Sequence, residues 1–237
     1  MRFFQLDSPL MNFLNKVADL MWLNILTMVC CIPVVTVGAS LTALHYMALK
    51  IVRNEECYIT RGYFKSFKEN FKQATVIWLI LLLVTGILAG DFYIIYKAEI
   101  EFNTVIKVII LAAAILVLFT ATFVFPVLAK FDNTVKRTIK NAFVMSILQF
   151  PKTILMIVMS VVPIVVAVLS YKAWPIVFLF CYSVPALVSA MLYNKFFQKL
   201  EDQILAETSG EGQEDNGDEH IFRDEVEENV GQIENKG

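Results

Sequence analysis

Uncharged apolar runs of about 20 residues or more recur along these 237 residues, and Lys and Arg gather in the short connections between them. A hydrocarbon core of roughly 30 Å takes about 20 apolar residues to cross as a helix. Backbone amides and carbonyls inside such a layer have to be satisfied within the protein, which favours helices. The pattern therefore predicts an all-α, polytopic transmembrane helical bundle of about six helices. A soluble domain built around one large core is not expected.

The connection from Lys50 to Lys72 sets the orientation. It holds Lys50, Arg53, Arg61, Lys65, Lys68 and Lys72 against Glu55, Glu56 and Glu69. Short loops this rich in Lys and Arg stay on the cytoplasmic side. A second basic connection, with Lys130, Lys136, Arg137 and Lys140 against Asp132, falls two crossings later. Both chain ends are then expected inside. In the second half of the first connection, Phe64, Phe67 and Phe71 share one helical stripe, with Lys65, Lys68 and Lys72 beside it. Such an amphipathic cytoplasmic helix has two readings: docking in the lipid headgroup layer, or a helix extension packed on its neighbours.

Leu20 to Leu49 carries no Lys, Arg, Asp or Glu, yet 30 helical residues would extend about 45 Å, too far for one span. Pro33 and Gly38 break this run, predicting a first span over Leu10–Ile32 and a short second helix over Ser40–Arg53. That second helix either crosses or is re-entrant. Further runs follow at Ala74–Tyr96 and Thr104–Ala129. A fifth covers Ala142–Ser170, with its membrane part at Thr153–Ser170, and a sixth covers Pro175–Tyr193. Either Pro151 or Pro163 is placed to kink the fifth.

The charges divide the chain into two regions. Residues 1–200 carry 18 Lys and Arg against 9 Asp and Glu, whereas residues 201–237 carry 2 against 13. The first region is expected to form the membrane domain and the second a mostly disordered cytoplasmic tail. Its one apolar patch, His220 to Glu225, is a candidate docking motif. No cleavable signal peptide is read at the start. Cys30, Cys31, Cys57 and Cys181 have neither metal spacing nor a disulfide pattern and are expected to act as small apolar fillers.

Two polar residues inside the apolar runs are candidate functional groups. Asp91 is the one acid in such a run, and intramembrane carboxylates are costly unless used. Its place near the end of a span also lets it reach water. His45 lies on the short second helix, where a packing role competes with a place in a polar cavity beside Asn24, Thr27 or Thr36. Those three are expected to make interhelical hydrogen bonds. Phe64, Lys65, Phe67, Lys68, Phe71 and Lys72 are the candidate interfacial or partner-binding set. The chain has no phosphate-binding loop, dinucleotide fingerprint, HExxH or GxSxG motif. No catalytic or metal site and no cofactor is expected. The basic residues flank spans without an aromatic platform, which argues against nucleic acid as a partner.

CIPVVTVGASLTALHYMALKIVRNEE, with FKSFKENFKQAT, FDNTVKRTIKNAFVMSILQFPKTILM and the terminal IFRDE, resembles the bacterial YesL family of integral membrane proteins. The resemblance covers nearly the whole chain. It implies a membrane protein with no assigned activity, of a kind that accompanies carbohydrate ABC uptake systems and glycan-degrading enzymes in Gram-positive bacteria. It supplies no catalytic or binding residue to carry over. The expected function is an accessory component of carbohydrate uptake, its partners the bilayer and ABC permease subunits. The alternative is a small transporter or channel in its own right; an enzyme is not expected.

Overall fold

The computed structural model describes residues 9–55, 58–97, 103–131 and 133–208. Glu56, Cys57, Glu99, Glu101, Asp132 and the acidic tail beyond Thr208, with its patch at His220, lie outside these. The described chain forms eight α-helices: α1 Pro9–Cys30, α2 Val37–Val52, α3 Ile59–Lys97, α4 Thr104–Lys130, α5 Val135–Leu148, α6 Phe150–Leu169, α7 Trp174–Phe180 and α8 Ser183–Thr208. Two 3-10 turns, Val34–Thr36 and Tyr171–Ala173, sit at the breaks. No strand occurs among the described residues. By length and composition Val34–Val52, Ile59–Ile95, Thr104–Lys130 and Phe150–Leu169 are long and apolar enough to cross a membrane. The bent pair Tyr171–Phe180 and Ser183–Ala206 adds a fifth if counted as one span. The chain is a polytopic helical membrane protein.

α1 and α2 fold back on each other. At one end Lys16 Nζ donates to Asn54 Oδ1 at 2.6 Å, and Trp22 Nε1 donates to Thr60 Oγ1 at 2.9 Å. Asn54 turns the chain with a φ of 54°, a left-handed conformation that asparagine tolerates better than most residues. At the other end Trp78 Nε1 donates to the Val34 carbonyl at 2.7 Å, and Thr75 Oγ1 reaches the Val35 carbonyl at 3.5 Å. The hairpin thus lies beside residues 59–78 of α3. Leu79 to Lys97 of α3 continues about 28 Å past its tip. Packing therefore favours the re-entrant alternative for α2, and it takes α1 with it: both legs return to the end that carries the basic connection.

Small residues make the close approach possible. Gly38 faces α3 so tightly that a Cβ there would fall onto the Ala74 carbonyl and lie 2.7 Å from Trp78 Cβ. Ala39, Ala43 and Ala48 continue the contact-bearing surface and are buried. Between the legs, Ser40 Oγ donates to the Thr27 carbonyl at 3.1 Å, which leaves Tyr63 OH, 2.6 Å away, to donate to Ser40.

The amphipathic segment is no separate helix. It is the first half of α3, which runs unbroken for 39 residues. Tyr63, Ser66, Ala74 and Ile77 are buried, while Lys65, Lys68 and Lys72 face outward. α4 stays helical through Pro126, and its second half is buried from Phe123 to Leu128. The fifth apolar run divides at Gln149, just before the Phe150-Pro151 start of α6, and not at Pro163, which α6 carries inside. A proline in the first turn needs no amide partner and disfavours helix in the residue before it. Thr153 Oγ1 donates to the Ser146 carbonyl at 2.8 Å across this joint. α8 continues helical through Glu201–Thr208. Met191–Thr208 belong to a second compact unit, in which the Tyr193 and Phe197 rings lie 4.6 Å apart, tilted by 37°.

Two outcomes are expected. Gly38→Val should lower the stability of the detergent-purified protein by about 1–3 kcal/mol through overpacking, whereas Gly86→Ala, where a Cβ meets nothing within 4 Å, should not; thermal unfolding compares them. In a variant without native cysteines, Ile32→Cys at the hairpin tip should resist an impermeant maleimide added outside cells, while Thr104→Cys should react.

Candidate functional site

The sixth apolar run is broken, and Asn24 of α1 fills the break. α7 ends at Phe180, α8 begins at Ser183, and their axes differ by 54°. Such a joint leaves the first amides of one helix and the last carbonyls of the other without helical partners. Asn24 Oδ1 accepts from the Tyr182 amide at 2.8 Å and the Ser183 amide at 3.1 Å. Its Nδ2 donates to the Phe178 carbonyl at 2.8 Å. Asn24 is fully buried, so both ends of its amide are matched where water cannot replace them. Pro185 falls in the first turn of α8, where its missing amide costs nothing.

Beside this joint lies a cleft of about 610 Å³ walled by α2, α3, α4, α6, α7 and α8. His45, Thr122, Ser160, Tyr182 and Ser189 supply its polar groups, set among Leu41, Leu44, Trp78, Phe125, Met156 and Pro163. Thr122 and Ser160 spend their protons on the Leu118 and Met156 carbonyls of their own helices, at 2.9 Å each. Their oxygens keep lone pairs to accept with. No Lys, Arg, Asp or Glu lines the cleft. Its volume falls within the roughly 300–1,000 Å³ typical of small-molecule sites.

Of the sequence-predicted residues, His45 lines this cleft and Asp91 does not. Asp91 lies 13 residues beyond Trp78 on α3, about 20 Å along the helix, and six before Lys97. The two are therefore not brought together. Asn24 makes an interhelical bond, Thr27 Oγ1 bonds the Leu23 carbonyl within α1, and Thr36 Oγ1 closes the hairpin tip on the Cys30 carbonyl at 2.6 Å. Cys30, Cys31 and Cys181 are free and partly buried. No group of three His, Cys, Asp or Glu that could hold a metal occurs among the described residues.

The basic aromatic set is brought together on α3. Phe64, Phe67 and Phe71 form a ring ladder with centroids 6.4 and 5.6 Å apart, and Tyr63 stacks on Phe67 at 6.3 Å. Phe64 remains 38% exposed. Lys65 reaches Glu69 at 4.0 Å, an exposed pair worth little to stability. Nothing local in the sequence marks Trp78, Tyr182 or Ser189 as cleft residues or gives Asn24 a particular partner. The one available signal was an asparagine in a charge-free run, which a helix break elsewhere has to match.

The helical hairpin, broken helix and polar-lined cleft define a helical membrane protein with an internal crevice. Residues 20–92, from Leu20 of α1 through Phe92 of α3, match the family described as "Protein of unknown function, DUF624". No curated protein and no solved structure matches the chain.

Asn24→Leu should destabilise the protein by about 2–4 kcal/mol, since buried amides and a carbonyl lose partners worth about 1–3 kcal/mol each and the joint relaxes in part. Asn24→Gln, with the same groups displaced by a methylene, should fall between. Chemical unfolding in a mild detergent measures both.

Proposed function

We propose that this protein is a non-catalytic accessory component of a carbohydrate ABC uptake system in a bacterial plasma membrane, of the YesL kind and Gram-positive in origin. The resemblance in sequence suggests the setting, and the family matched over residues 20–92 is compatible with it. The observation that carries the reading is the outward face of α3 from Phe64 to Lys72. Three lysines and a partly exposed aromatic ladder project from a helix whose other side is locked by buried Tyr63, Ser66 and Ala74. A rigid face meets a partner without an ordering cost, and its positive charge suits acidic surfaces at the cytoplasmic membrane boundary.

Purification from native membranes under mild detergent should recover permease subunits with the wild-type chain. Replacing Lys65, Lys68 and Lys72 together by Gln should cut that recovery at least tenfold while leaving the protein's yield and unfolding temperature unchanged. Full recovery with the triple variant would remove this face as the interface.

A second reading, a small transporter or channel, is favoured by one observation: the cleft is bordered by the α7–α8 break at Tyr182 and by Trp78, which bonds the hairpin tip of the other break at Val34. Interrupted helices build binding sites in transporters. Sugar or ion flux in proteoliposomes, lost in Ala121→Phe, would establish it; no flux would remove it.

A further inference from the structure

At the opposite end of the hairpin from its tip, α1 and the start of α3 enclose a recess of about 880 Å³. Asp19 and Trp22 line one wall, and Tyr58, Ile59, Thr60 and Arg61 the other. Trp22 Nε1 donates to Thr60 Oγ1 at 2.9 Å and ties the walls together. The lining carries one charge of each sign, Asp19 on α1 and Arg61 on α3. Neither forms an ion pair among the described residues. Lys16, one turn before Asp19, donates to Asn54 at 2.6 Å, and the Arg61 guanidinium rests over the Tyr58 ring at 5.8 Å. Asp19 is nonetheless half-buried, and a carboxylate withdrawn from water without a partner is costly.

Asp19 directly precedes the charge-free run Leu20–Leu49. From there Trp22, Leu26 and Val29 continue along one face of α1 toward the tip, exposed or half-buried. The recess therefore opens where headgroups meet hydrocarbon, at the end that carries the basic connection. Its indole and phenol rings are of the kind such a boundary favours. We infer that it binds the phosphoethanolamine head of a phospholipid from the leaflet on that side. Arg61 and the Thr60 hydroxyl donate to the phosphate, Asp19 accepts from the primary ammonium, and the acyl chains follow the Trp22–Val29 face. A purely anionic head would meet Asp19, and a purely cationic one Arg61. A choline head has no N–H for Asp19 to accept from. The inference is independent of the lysine face of α3 and of the cleft beside Asn24.

The full chain in mild detergent is titrated with dioleoyl phosphatidylethanolamine, phosphatidylcholine and phosphatidylglycerol, and native mass spectrometry counts the lipids retained. One phosphatidylethanolamine should bind about tenfold more tightly than either rival, the scale of one charge-assisted hydrogen bond at a partly exposed site. Asp19→Asn should bring phosphatidylethanolamine down to the level of phosphatidylcholine and leave phosphatidylcholine unchanged, which also shows that the fold survives. Arg61→Gln should weaken both alike, and Lys107→Gln, at the far end of α4, should change neither. Glycerophosphoethanolamine at millimolar concentration should displace little of the lipid, because it lacks the chains. Equal affinity for phosphatidylethanolamine and phosphatidylcholine, a preference that survives Asp19→Asn, or full displacement by glycerophosphoethanolamine would each overturn the inference.

Discussion

A helix that stops inside an apolar layer presents amides and carbonyls that lipid cannot satisfy, and two interruptions among the described residues meet this need with side chains from other helices. At the hairpin tip, Thr36 closes on the Cys30 carbonyl while Trp78 and Thr75 of α3 reach the Val34 and Val35 carbonyls. At the α7–α8 joint, Asn24 takes two amides and a carbonyl with one side chain. In both places the partner comes from a different helix. Each break therefore fixes one helix against another, and the polar groups that make the breaks tolerable also set the tertiary arrangement.

Packing is unequal along the bundle for a related reason. Half of the apolar stretch in Val34–Val52 is buried within the protein, against 6% in Ile59–Ile95 and 11% in Phe150–Leu169. In water the exposed Leu83, Ile109 and Ile164 would form an apolar surface far beyond what a soluble monomer carries. Against hydrocarbon they cost nothing, so those helices need no protein neighbours there. Close contact is concentrated where α2, the first half of α3 and the second half of α4 meet, around Ala39, Ala43, Tyr63, Phe123 and Val127. Without a hydrophobic drive between helices in lipid, small residues and hydrogen bonds have to supply the association. Gly38 and the Thr27–Ser40–Tyr63 chain do so here.

Much of this was legible in the residues. Charge-free runs, the Pro33–Gly38 interruption and the outward lysines of α3 follow from periodicity and charge alone. Gln149, not Pro163, as the dividing point was not legible, because both prolines break a helical pattern equally on paper. Only a joint already provided with Thr153 and its Ser146 partner can use the break. His45 stands out in the sequence for its chemistry and Asp91 for its cost, but their separation depends on where the hairpin stops along α3. The contact between Asn24 and Tyr182 spans 158 positions. No local pattern encodes such a distance, so the cleft beside it stayed hidden although five of its polar residues stand in plain view.

α3 is the element on which these threads converge. Its first half carries lysines on one side and the packing partner of α2 on the other; its second half is mostly lipid-covered. Trp78 sits at the change between them, where it anchors the hairpin tip through Val34 and also walls the cleft. An indole suits that position because its N–H can bond a carbonyl while its ring fills apolar space. A leucine there would pack but leave the Val34 carbonyl unmet, and a charged residue would satisfy the carbonyl at a desolvation cost the cleft does not offset. The hairpin tip, the cleft wall and the start of the lipid-facing half of α3 are thus set by one side chain.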